Sequence, residues 1–172
     1  MGRTLIVVDM QNDFVYGPLG TPEARAIVPN VQKKIEEYRG RCDDIIFTRD
    51  CHDNDYLCTH EGKYLPVVHC LEHDISGSAL VVPMEWGETV LEKRAFGYLS
   101  WNYFAYVSHS SYIELIGVCT DICVVSNALI LRSMFPEMDI TVDASCCAGT
   151  TPEKHKAALE VMKSCHIDIL ND

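Results

Sequence analysis

The stretch Ile116-Gly117-Val118-Cys119-Thr120-Asp121-Ile122-Cys123-Val124-Val125-Ser126-Asn127 is where the fold is decided. The apolar segment Ile113 to Val118 reads as a buried strand. A short polar break follows, and an apolar helix then carries Cys123 in or near its first turn. A cysteine there lies close to the positive end of the helix dipole, where a thiolate is favoured over a thiol. That is what a cysteine nucleophile requires. The alternative is a buried structural thiol, because free cysteine is among the most buried residue types.

Outward from this stretch, apolar runs alternate with helical patterns. Thr4 to Asp9 is a continuous β-branched run ending in an acid, as expected of a strand covered on both faces. Further strands are expected at Asp44 to Arg49, Thr89 to Lys93, Tyr112 to Val118, Met138 to Ala144 and His166 to Leu170. Pro22 to Tyr38 reads as a helix with Thr21 as N-cap, Pro22 at its first position and Gly40 just past its end. Pro29 should kink that helix or mark where its regular part begins. Other helices are expected at Trp101 to Val107, Asp121 to Met134 and Pro152 to Ser164. The alternation implies an α/β domain spanning 1–172, with a mainly parallel sheet of about six strands. Asp50 to Glu88 is the exception. It is long, polar and rich in His, Asp and Cys, and long irregular segments inside compact domains are usually functional or disordered.

The 172 residues and 48% hydrophobic content support one sizeable core. A net charge of −11 argues against nucleic acid and anionic membranes as partners. No apolar run approaches the roughly 18 residues that a membrane-spanning helix needs. The nine cysteines are odd in number, several lie in apolar segments, and no secretory pattern precedes them. The expected setting is a reducing cytosol with free thiols.

Ligands of open α/β sheets bind beyond the carboxyl ends of the strands. Asp9, Asp50-Cys51-His52, Lys93 and Cys119 to Cys123 all fall there. Each alone has a bland reading, as a loop-capping acid, a solvated lysine or a core thiol. Together they form a device in which Asp9 takes the thiol proton, Lys93 steadies thiolate and carboxylate, and Cys123 attacks. Asp50 and His52 are two apart, so they point to the same side at a strand end. His69 could complete a two-histidine, one-carboxylate metal set with open positions. A structural zinc site would need four ligands, usually cysteine-rich and closely spaced, and Cys51, Cys58 and Cys70 lack that spacing. His60 and His73 read as solvated loop residues.

The Asp9-x-Gln11-x-Asp13-Phe14 run, Lys93 after the third strand, and Gly117-Val118-x-Thr120-Asp121-x-Cys123 together resemble the isochorismatase-like cysteine hydrolase superfamily. The nicotinamidase (pyrazinamidase) branch is the nearest. The resemblance implies a Rossmann-like three-layer α/β/α sandwich and a Cys-Asp-Lys triad at Cys123, Asp9 and Lys93. It implies an oxyanion hole from the backbone N–H groups of Cys119 and Cys123, associated with a cis peptide joining Val118 and Cys119. It further implies a divalent metal (Zn²⁺, or Fe²⁺ or Mn²⁺) on Asp50, His52 and His69, with Glu61 as a further ligand in some members. The substrate implied is a small carboxamide such as nicotinamide, hydrolysed through a Cys-acyl intermediate.

Two departures bear on the pocket. Nicotinamidases often carry Trp at the positions of Cys51 and Leu65. Phe14, Phe96 and Tyr98 are expected to line the substrate pocket, with Trp101 nearby. The alternatives are a hydrolase of the same superfamily with another bond specificity, and a non-enzymatic thiol or metal-binding protein. The isochorismatase branch proper lacks the metal set, so Asp50, His52 and His69 argue against it. The helix after Cys123 is apolar almost all round, which suits a core helix or a subunit interface in a homo-oligomer.

Overall fold

Parallel strands covered on both faces need apolar side chains in both directions. A computed structural model describes residues 2–172. Its strands are β1 (Gly2–Val8), β2 (Asp44–Asp50), β3 (Thr89–Lys93), β4 (Ser110–Val118), β5 (Asp139–Ala148) and β6 (Asp168–Leu170). They form one sheet in the order β3-β2-β1-β4-β5-β6, with every pairing parallel. The α/β expectation is met, and the sheet is wholly parallel rather than mainly so.

The helices are α1 (Asn12–Val15), α2 (Pro22–Gly40), α3 (His60–Tyr64), α4 (Ile75–Ser78), α5 (Ala105–His109), α6 (Val125–Met134) and α7 (Pro152–Ser164). Alternation along β1 divides the core. Leu5 and Val7 pack with Ile27, Val31 and Ile35 of α2, whereas Ile6 and Val8 pack with Leu131 of α6 and Leu159 and Met162 of α7. Helices therefore cover both faces, giving three layers. Each such side chain contributes about 1.5–3 kcal/mol by leaving water.

Several boundaries differ from expectation for local reasons. Thr21 caps α2 as expected, its Oγ1 accepting from the Ala24 N–H at 3.0 Å. The helix runs on through Pro29, which lies on its exposed face. There the carbonyl that loses its partner can be hydrated, while the buried face holds the helix together. The left-handed residue beyond its end is Cys42, with φ 56°, rather than Gly40. The expected Trp101 to Val107 helix is a 3₁₀ turn at Trp101–Tyr103 followed by α5. The expected Asp121 to Met134 helix begins as a π-helical turn, Thr120–Val124, before α6. Strand β5 runs four residues beyond Ala144, where Cys147 pairs with Gly117 after a register shift in β4. A buried polar group also interrupts the apolar layer under α2. Lys34 Nζ lies 2.8 Å from Glu114 and 2.9 Å from Asp143, and the Tyr38 hydroxyl donates to Glu114 at 2.7 Å.

The strand order reverses between β1 and β4, which places the ligand crevice beyond their carboxyl ends. Gly117 shapes that edge. Its φ is +117°, and a Cβ there would lie 2.1 Å from the Val8 carbonyl oxygen. Only glycine lets the end of β4 lie so close to β1. Gly117→Ala should lower unfolding stability by about 3 kcal/mol or more. An unchanged midpoint in urea denaturation would contradict this reading of the edge.

Candidate active site

The carboxyl edge brings the expected triad into contact. Lys93 ends β3, in register with Asp50 at the end of β2. Its Nζ lies 2.7 Å from Asp9 Oδ2, 3.1 Å from Asp50 Oδ1 and 3.5 Å from Cys123 Sγ. Asp9 is 0% exposed, Lys93 4% and Cys123 6%. Asp9 stands just past β1 in the left-handed region, with φ 47°. That turn aims its carboxylate along the edge, where Thr48 Oγ1 donates to Oδ1 at 2.6 Å. Cys123 sits within the π-helical turn, a geometry common at functional sites. The Cys119 carbonyl accepts from the N–H groups of Ile122 and Val124, both at 3.1 Å, which curls the turn around it. The Val118–Cys119 peptide is cis, as the family resemblance implied.

The electrostatics correct one expectation. The helix-start argument favours a depressed Cys123 thiol, but burial, reinforced by the neighbouring Asp9, pushes it well above the usual thiol range against the pull of Lys93. Desolvation of a nearly enclosed sulfur outweighs the dipole of a single turn. Burial also raises the Asp9 carboxyl, against the opposing charge of Lys93. For Lys93 burial acts downward, but Asp9, Cys123 and Asp50 outweigh it, so the ammonium is held charged. Burial and Asp9 thus favour the thiol form of Cys123, and Asp9 favours the charged form of Lys93.

A second cluster adjoins the first through Asp50. One ligand atom from each of Asp50, His52, Glu61 and His69 lies within 4.8 Å of all the others. His52 Nε2 is 2.9 Å from Asp50 Oδ2, and His69 Nε2 is 3.6 Å from it. Glu61 Oε1 is 3.9 Å from each histidine Nε2. His69 Nδ1 contacts the Val67 carbonyl at 2.7 Å, which fixes the ring with Nε2 toward the cluster. His52 Nε2 is buried and, though close to Asp50 Oδ2, is not aligned for a hydrogen bond with it. Burial would raise Asp50, yet His52, His69 and Lys93 hold it well below the usual carboxylate range. This donor set fits a divalent cation: two imidazoles and two carboxylates converge with their coordinating atoms inward.

Several residues position these groups. Gln11 is fully buried. Its Nε2 donates to the carbonyls of Asp50 (2.9 Å) and Ser78 (3.2 Å), and its Oε1 accepts from the Asp50 N–H at 2.7 Å. Asp13 accepts from the Cys70 N–H at 2.7 Å, anchoring the residue after His69. The Tyr56 ring packs against His52 (4.6 Å) and His69 (4.9 Å), while its hydroxyl donates to the Leu65 carbonyl at 2.8 Å. Gln11 and Asp13 belong to the motif after β1, so their spacing of two and four residues from Asp9 is a usable signal. Tyr56 and Thr48 carry no such signal.

The expected pocket residues separate. Phe14 meets His69 edge-on at 5.4 Å. Tyr98 packs with Trp101 at 5.1 Å and Phe104 at 5.8 Å, away from the histidine cluster. Phe96 is 46% exposed. His60 and His73 are exposed, as read from the sequence. All nine cysteines are free thiols.

The isochorismatase domain model matches residues 3–171. The chain belongs to the isochorismatase family. A pyrazinamidase from Pyrococcus horikoshii, solved in complex with zinc, is similar at 26% identity and TM-score 0.84, with 100% of both chains covered. A nicotinamidase from Bacillus subtilis shares the fold at 24% identity and TM-score 0.85, covering 99% of this chain and 100% of that one. An N-carbamoylsarcosine amidase from Thermoplasma acidophilum does so at 24% identity and TM-score 0.76, covering 99% and 96%. No curated protein matches the chain by sequence. An isochorismatase-family hydrolase fold thus carries the triad geometry and a four-donor cluster on one sheet edge. Among the described residues, no helix is long and apolar enough to cross a membrane.

Equilibrium dialysis against Zn²⁺ should find one tight site per chain. Asp50→Asn and His52→Ala should remove it, and Gln11→Ala should weaken it by about 10–100-fold. Wild-type affinity in the Asp50→Asn protein would refute the assignment of these ligands.

Proposed function

We propose that this protein is a cysteine amidohydrolase that converts a small carboxamide, such as nicotinamide, to the acid and ammonia. The observation that carries this reading is the position of Lys93, whose ammonium touches the base, the nucleophile and the metal-ligand carboxylate at once. The family and the pyrazinamidase likeness support it.

Cys123 starts as a thiol. As Sγ attacks the amide carbonyl carbon, Asp9 accepts the thiol proton and Lys93 steadies the negative charge left between them. The carbonyl electron pair moves to oxygen, which the backbone N–H groups of Cys119 and Cys123 receive. Asp9 then returns the proton to the amide nitrogen, the carbon–nitrogen bond breaks and ammonia leaves. Water then gives a proton to Asp9 as it attacks the thioester carbon, the carbon–sulfur bond breaks to release the acid, and Asp9 returns the proton to Cys123 Sγ. A divalent cation (Zn²⁺, or Fe²⁺ or Mn²⁺) held by Asp50, His52, His69 and Glu61 would supply a Lewis-acid contact for a donor atom of the substrate. Phe14, beside His69, is placed to meet a planar substrate at that cluster.

A second reading, a hydrolase of the same family with another bond specificity, draws on Cys51 and Leu65. Neither supplies the ring that nicotinamidases often present there. A substrate panel separates the two readings.

Purified, zinc-loaded protein should release ammonia from nicotinamide or pyrazinamide. Cys123→Ala should lower kcat/KM by at least about a thousandfold. If no carboxamide in a broad panel is hydrolysed, the amidase reading fails.

The pH profile follows from the shifts. Asp9 must be ionised to take the proton, and its carboxyl is raised, so activity should fall as pH drops through a value above the ordinary carboxylate range of about 4. Cys123 and Lys93 are both raised, so activity should stay level from neutral pH into the alkaline range. Full kcat/KM persisting at about pH 4 would contradict this assignment of the base.

A further inference from the structure

Asn127 closes the stretch that decides the fold, and the catalytic reading gives it no task. It is a fully buried amide two turns into the helical segment after Cys119. Its Oδ1 accepts from the Tyr98 N–H at 2.9 Å. Its Nδ2 donates to the Cys123 carbonyl at 2.8 Å and contacts the Phe96 carbonyl at 3.4 Å. Gly97, between those two residues, is pressed onto α6. A Cβ there would lie 2.4 Å from Ile130 Cδ1 and 3.4 Å from Ser126.

Topology gives this contact its meaning. Lys93 ends the edge strand, whereas Cys123 follows β4, and β2 and β1 lie between. Three interstrand spacings amount to about 14 Å. The segment Arg94 to Tyr98 bends at 94–97 as it leaves Lys93, and Asn127 ties its far end to the helical segment that follows Cys119.

We propose that Asn127 is a positioning residue, a latch that ties the Arg94–Tyr98 strap to the nucleophile turn and so sets which amides reach Cys123. Its two faces are separable. The Oδ1 contact holds the strap, and the Nδ2 contact holds the turn. This rests on the amidase reading only for its kinetic consequence; the latch itself is a property of the fold.

Asn127→Thr keeps a hydroxyl that can donate to the Cys123 carbonyl four residues back and gives up the Tyr98 contact. Gly97→Ala is the milder probe from the strap side, since its Cβ would meet only the terminal methyl of Ile130 closely. Amide hydrogen exchange on the full chain should show the Tyr98 amide exchanging about tenfold faster in Asn127→Thr, the size expected for one lost hydrogen bond, and by less in Gly97→Ala. Amides of β1 and β4 should keep their wild-type rates. With nicotinamide and a bulkier carboxamide, Asn127→Thr should raise KM for nicotinamide about tenfold and narrow the preference between the two, with kcat changed far less. Wild-type exchange at Tyr98 in Asn127→Thr would overturn the latch. So would faster exchange spread evenly over the sheet, which would mark Asn127 as general packing. Faster local exchange with no hydrolysis of any carboxamide would leave the latch standing and sink the amidase reading instead.

Discussion

One buried ammonium organises this site. Lys93 is enclosed by protein, and an isolated charge there would be prohibitively costly. Two carboxylates, Asp9 and Asp50, make it tolerable; Lys93 is the main group opposing the burial of Asp9, whereas Asp50 is held ionised by His52 and His69 as well as by Lys93. The three groups come from three adjacent strands, so their mutual dependence fixes the relative positions of the ends of β3, β2 and β1. The nucleophile joins from β4 on the far side of the topological switch. Because Asp50 also belongs to the His52, Glu61 and His69 cluster, the ammonium links the nucleophile to the candidate metal centre through a single carboxylate.

The rest of the edge serves that arrangement. Gly117 permits close approach of β4 to β1, and the π-helical turn then places Cys123 within reach of Lys93. Asp9 leaves the strand geometry to turn its carboxylate inward, and Thr48 on the neighbouring strand holds it there. Gln11 binds the backbone of Asp50 on both its N–H and C=O sides, so the motif after β1 reaches across to β2. The long segment after β2, which has little regular structure, is organised by polar contacts from Asp13 and by the ring of Tyr56.

Much of this was legible in the sequence, and the reasons are specific. The strands could be read because a parallel sheet covered on both faces leaves continuous apolar runs. Asp9, Asp50, His52, Lys93 and Cys123 could be assigned to one edge because strand ends in this architecture all point one way, whereas His69, in the irregular segment, was read only as a donor that could complete a metal set. Electrostatics was less legible. The position of Cys123 at a helix start predicted a depressed thiol, but sequence does not show how completely a sulfur will be enclosed or that Asp9 will lie beside it. The roles of Tyr56 and Thr48 were invisible because they depend on tertiary neighbours. The all-round apolar character of α6 left a subunit interface open. Within the chain, part of that surface is used where Ile130 meets Gly97 of the strap. Phe96 and Tyr98 were read as pocket rings from their place after Lys93; the backbone contacts that Asn127 makes with both could not be read from the sequence.

The central claim is that Cys123 carries the acyl group during turnover. Acid-quenching zinc-loaded enzyme during turnover of a carboxamide, followed by peptide mass spectrometry, tests this directly. The account predicts that the peptide containing Cys123 gains the mass of the substrate's acyl group, that the gain disappears on treatment with hydroxylamine, and that no other cysteine is modified. Turnover with an unmodified Cys123 under conditions that trap the intermediate, or an adduct on Cys119 instead, would contradict it.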